Sequence, residues 1–78
     1  MNQFDLWVKG CKQNKTILYC LEGEGDTGLY KLTKEYWHNN NRFYEEPVYI
    51  AWIDGKQVCV SRNYIEAYNV FIKYKEGN

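Results

Sequence analysis

The groups in this chain that could do chemistry are few, and their spacing does not suit it. Cys11, Cys20, Cys59 and His38 make a numerical Cys₃His set, yet no two of them stand at the short separation with which a single turn supplies two zinc ligands. Cys20 and Cys59 fall in strand-like segments, where a thiol behaves as a small apolar side chain. The one serine, Ser61, precedes a helical stretch, where capping accounts for it. Cys11 has no adjacent histidine or helix terminus to activate its thiol, so no nucleophile is paired with a base. Glu22, Glu24 and Asp26 offer oxygens to a calcium ion but lack the ordered spacing of a calcium loop.

Gly23, Gly25 and Gly28 spell G-x-G-x-x-G, with Glu45 and Glu46 downstream where a ribose-binding acid would stand. The dinucleotide fold needs parallel strands and far more chain, and Glu24 and Asp26 would repel a pyrophosphate where it should bind. The expectation is a protein that is not an enzyme and uses neither metal nor cofactor.

What survives is aromatic. Eight Tyr, three Trp and three Phe in 78 residues exceed what so small a core needs. Tyrosine offers a wide contact face at little rotamer cost, as interfaces prefer. Trp7, Tyr30, Tyr36, Trp37, Phe43 and Tyr44 lie in segments whose patterns leave them unexplained, with Arg42 among them. Trp7, Tyr36, Trp37, Arg42, Phe43 and Tyr44 are therefore the candidate contacts of a partner, and Glu22, Glu24 and Asp26 a secondary acidic patch for a basic one.

The elements that must position these residues follow from periodicity. Phe4 to Lys9 alternates as a half-buried strand with Trp7 on its outer face, and Thr16 to Leu21 alternates likewise, so the two predict an antiparallel hairpin. Glu22 to Gly28 reads as a loop. Leu29 to Trp37 fits either a strand or a helical stripe, and a helix is expected between Thr33 and Tyr44 despite the poor helix formers Asn39, Asn40 and Asn41. In Val48 to Val60, Asp54-Gly55 supplies the positive φ values of a type I′ hairpin, pairing Ile53 with Lys56, Ala51 with Val58 and Tyr49 with Val60. Both faces of this hairpin are apolar, so each must be covered by something. Asn63 caps a final helix, Tyr64 to Lys75, with Glu66 three residues on and Tyr64, Ala67, Tyr68, Phe71 and Tyr74 along one stripe.

The expected fold is a single α+β domain over residues 1–78, in the order β-β-(short α or β)-α-β-β-α. An antiparallel sheet of about four strands carries the C-terminal helix on one face. A balance of ten basic and ten acidic residues argues against duplex binding. Residues 1–15 hold no continuous apolar stretch, and the longest apolar run is Val48 to Ile53. A cytoplasmic protein with reduced thiols and no membrane segment is expected. Such compact, charge-balanced, aromatic-rich chains resemble, in type only, accessory proteins of bacteriophages and mobile elements. That resemblance implies an inhibitor that blocks a host defence protein by occupying its surface. The functional expectation is a protein-binding module. The alternative is a single-strand nucleic-acid binder using Trp7 with Lys9, Lys12 and Lys15, and a homodimer could cover the second face of the central hairpin.

Overall fold

The computed structural model describes residues 2–77. Seven elements follow one another: α1 (Gln3–Gln13), β1 (Thr16–Glu24), β2 (Thr27–His38), β3 (Asn41–Tyr44), β4 (Val48–Ile53), β5 (Lys56–Ser61) and α2 (Tyr64–Glu76). The five strands form one antiparallel sheet in the order β1-β2-β4-β5, with β3 paired to the far end of β2. The α+β class holds, with five strands and two helices.

The β4–β5 hairpin organises the core. Asp54 and Gly55 take φ values of 50° and 79°, which match the twist of the flanking strands and close a two-residue turn. Ile53 pairs with Lys56 as the sequence predicts. Beyond that pair a bulge leaves Val58 unopposed, so Ala51 faces Cys59, Ile50 faces Val60 and Tyr49 faces Ser61, one residue off the expected register. The extra residue lets Val58 and Cys59 both pack under α2 and sends Val60 out to solvent.

Each face of this hairpin has its own helix, which makes three layers. On one side Ile50 and Trp52 meet Phe4 of α1 and Tyr30 of β2. On the other, Ala51 and Leu29 meet Ala67 and Phe71 of α2, all four with no solvent exposure. Both faces of β4 are thus covered within one chain, whereas Val60 of β5 stays exposed.

The first element corrects the sequence reading: Phe4 to Lys9 lies in a helix, not a strand. The Asn2 side-chain oxygen accepts the Asp5 backbone N–H at 2.8 Å, an N-cap. Phe4, Trp7, Val8 and Cys11 then form a stripe at helical spacing that faces the sheet. The strand alternative would leave Trp7 in water. The helix brings it against three other rings, and burying Phe4 alone is favourable by about 2 kcal/mol.

The expected loop at Glu22 to Gly28 and the expected helix between Thr33 and Tyr44 are both hairpins. β1 continues to Glu24, only Gly25 and Asp26 form the turn, and β2 starts at Thr27. Gly28 is required by close packing, since a Cβ there would stand 2.9 Å from the Tyr30 ring. At the other end of β2, Asn39 and Asn40 take φ values of 50° and 65°. Asparagine tolerates this left-handed region better than other residues with a β-carbon, and two in succession make a hairpin turn.

α2 ends the chain as the sequence predicts. The Asn63 side chain accepts the Glu66 N–H at 3.2 Å. The Ser61 hydroxyl accepts the Asn63 N–H at 3.0 Å and donates to the Glu66 carboxylate at 3.2 Å. No helix among the described residues is long and apolar enough to cross a membrane.

Candidate functional site

β2 belongs to two neighbourhoods. Its first half lies between β1 and β4, but the β4 pairing ends at Leu32 with Val48 and the β1 pairing ends at Lys34 with Thr16. From Glu35 onward its only strand neighbour among the described residues is β3. Glu35 to Tyr44 is therefore a two-stranded arm running past the sheet, and every residue in it is exposed.

The arm carries five of the six predicted contact residues. Tyr36 sits opposite Phe43 and Trp37 opposite Arg42, and strand alternation puts these pairs on opposite faces of the ribbon. The Tyr36 and Phe43 rings stack with centroids 5.7 Å apart and planes 23° from parallel, a cross-strand pair of the kind that stabilises an isolated ribbon. On the other face the Arg42 guanidinium lies 5.7 Å from the centre of the Tyr44 ring, a cation–π contact that holds the cation in place. Trp37 beside it is 66% exposed.

The base of the arm is pinned by polar contacts. The Thr33 hydroxyl donates to the Glu45 carbonyl at 2.6 Å, and the Glu45 N–H donates to the Lys34 carbonyl at 2.8 Å. Where β3 gives way to β4, an open groove of about 600 Å³ runs between Thr16, Lys34, Tyr36, Tyr44, Glu46 and Arg62. Arg62 approaches the Glu46 carboxylate at 3.9 Å on the surface, where such a pair contributes little.

Trp7, the sixth predicted contact, belongs elsewhere. Its ring lies 5.8 Å from Phe4, 5.5 Å from Tyr30 and 5.3 Å from Trp52, measured between centroids, so it packs half-buried against the core beneath α1, apart from the arm. The acidic residues are remote, with Glu22 and Glu24 exposed and Asp26 half-buried. Glu22, Glu24 and Asp26 flank the turn at the start of β2, whereas the arm turns at its end, about 36 Å away at the usual rise per strand residue. That acidic tip is braced by the neighbouring turn: the Gly55 N–H donates to the Asp26 carbonyl at 3.1 Å, and the Asp54 N–H donates to the Thr27 hydroxyl at 3.0 Å. The predicted residues thus divide into an arm, an acidic tip and a ring packed against the core.

The ionisable groups of the interior are quiet at neutral pH. The Tyr30 hydroxyl donates to the Gly25 carbonyl at 2.6 Å, and desolvation, helped by Cys20 and Asp26 nearby, pushes its pKa up to about 12. Burial raises the Cys11 thiol, and burial together with the Glu66 carboxylate raises that of Cys59, so neither is a ready nucleophile. Cys20 is the exposed thiol. Among the described residues, no three His, Cys, Asp or Glu side chains are placed to hold a metal ion.

Among the described residues, exposed apolar side chains outside the predicted contacts include Leu6, Tyr19, Leu21, Val60 and Ile65. Tyr19 and Leu21 lie on β1 with much of their surface in solvent. Their segment alternates as any strand does, and nothing in that pattern distinguishes an edge from the middle of a sheet. No protein-family model, curated protein or solved structure matches the chain.

Proposed function

We propose that the chain is a small non-enzymatic protein-binding module whose β2–β3 arm is the contact element. The observation that supports this is the exposure of Tyr36, Trp37, Arg42, Phe43 and Tyr44 together on a ribbon that adds nothing to either buried cluster. Trp, Tyr and Arg dominate the energetics of protein interfaces when a partner desolvates them. A narrow arm with rings on both faces is shaped to enter a cleft and occlude it. Because β2 is continuous from the sheet into the arm, the rings are held in place before docking, which lowers the entropy lost on binding.

The test compares affinity capture from the source cells with two baits, the unaltered chain and the double variant Trp37→Ala/Phe43→Ala. A partner recovered at least tenfold less with the variant, while far-UV circular dichroism stays the same, is the expected result. A set of captured proteins identical for both baits would defeat the reading. Single-strand nucleic-acid binding is less well supported, because Trp7, the ring nearest Lys9, Lys12 and Lys15 in sequence, faces the core. Oligonucleotide retention at two salt concentrations separates the two readings, since only phosphate contacts give a steep salt dependence.

A further inference from the structure

We propose that β1 is a self-pairing edge: two copies join antiparallel along Thr16 to Cys20, about a two-fold axis at Leu18, and extend one sheet through both. This goes beyond the arm and uses none of its residues.

The sheet ends at β1, which has β2 on one side and no strand on the other among the described residues. An edge presents unpaired backbone N–H and C=O groups to any compatible strand, and proteins usually blunt it with charge, proline, shortness or a bulge. The other edges are blunted, that of β2 past Lys34 by spanning only Glu35 to His38 and opening on a charge. β5 is six residues long, opens on Lys56 and is bulged at Val58, and β3 has only four residues, Arg42 among them. β1 runs for nine residues. Its first five, Thr16-Ile17-Leu18-Tyr19-Cys20, hold no charge and no proline, and its bulge and its acids come only after Cys20.

The pattern of these five residues favours a second copy over a foreign strand. A two-fold axis at Leu18 sets Leu18 against itself, Ile17 against Tyr19 of the second copy, and Thr16 against Cys20. Strand alternation then places both Ile17–Tyr19 pairs on one face, a continuous apolar row in which the 52% exposed Tyr19 gains cover. The ends match as well, since Lys15 meets the Leu21–Glu22 step of the second copy at each end. Parallel pairing would instead set Lys15 on Lys15 and Glu22 on Glu22. A net charge of zero leaves no long-range repulsion between copies. Five residue pairs bury less than the roughly 1,600 Å² of a standard interface, so the dimer is weak and concentration-dependent.

Sedimentation velocity across a concentration series tests this. The 9.4 kDa chain is expected to shift toward twice its mass as concentration rises. Tyr19→Lys, at an exposed position outside both buried clusters, should keep its circular dichroism and raise the dissociation constant at least tenfold. Trp37→Ala/Phe43→Ala should dimerise as the unaltered chain does, which separates this edge from the arm. Thr16→Cys should form an intermolecular disulfide with Cys20 under mild oxidation, while the unaltered chain, whose Cys20 residues lie far apart in this register, should not. A single species of one-chain mass at the highest concentration, a dimer insensitive to Tyr19→Lys, or a dimer abolished by the arm variant would each overturn the proposal.

Discussion

The β4–β5 hairpin and the β2–β3 arm are built alike and end in opposite environments. Both are antiparallel ribbons closed by a two-residue turn with two consecutive positive φ values, Asp54-Gly55 in one and Asn39-Asn40 in the other. Both carry aromatic side chains, joined in β4–β5 by β-branched ones that the arm lacks. β4 lies between β2 and β5 and under both buried clusters, and it holds Ile50, Ala51 and Trp52 at 7% exposure or less. The arm has no third strand among the described residues, and its rings face water. A ribbon's burial is set by what lies beside and above it, not by the rings it carries.

Four changes sharpen that contrast. The largest effect is expected from Phe71→Ala, which empties a fully buried site between α2 and the sheet. It should lower the unfolding free energy by about 3–5 kcal/mol in urea titration, and a loss under about 1 kcal/mol would show that α2 is not closing that core. Next is alkaline pH. Folding raises the Tyr30 pKa to about 12, so the folded state holds its proton more tightly than the unfolded chain does. That stability is fully present below the ordinary tyrosine range of about 10 and is lost as pH climbs through about 12. Tyr30→Phe should flatten this loss at a cost of about 1 kcal/mol for the bond to Gly25.

A subtler effect is expected at the arm's turn. Asn39→Val/Asn40→Val places β-branched residues at positive φ and should melt the arm alone, by about 1–3 kcal/mol locally. Amide exchange in Glu35 to Tyr44 should accelerate while Tyr30 and Ile50 stay protected, and a global loss of protection would mean the arm is part of the core's cooperative unit. The smallest effect on folding belongs to Trp37→Ala/Phe43→Ala, expected to alter stability by no more than about 0.5–1 kcal/mol, since it removes solvent-exposed rings and one cross-strand contact.

Parts of this were legible in the sequence because the local signals were unambiguous. Asp54-Gly55 between two apolar runs, and Asn63 with Glu66 ahead of an unbroken stripe, each specify one geometry through backbone chemistry. Elimination singled out the exposed rings of Tyr36, Trp37, Phe43 and Tyr44, but also Trp7 and Tyr30, whose packing against the core depends on α1. α1 was not legible, because Phe4, Leu6 and Val8 satisfy a two-residue period while Phe4, Trp7, Val8 and Cys11 satisfy the helical one. The cap formed by Asn2 and Asp5 decides between them. The same asparagines that weaken a helix through Asn39 and Asn40 are good hairpin formers, so composition was weighed against one element when it favoured another. The bulge at Val58 left no trace in the sequence, because it arises from fitting two side chains under α2.

The three tryptophans divide in a way that has practical value. Trp52 is buried and the half-buried Trp7 lies against it with ring centroids 5.3 Å apart, whereas Trp37 stands in solvent near the tip of the arm. The chain therefore holds two native optical reporters. Exciton coupling between the adjacent pair signals packing, and red-shifted, quencher-accessible emission from the outer indole signals whether the tip is free or covered.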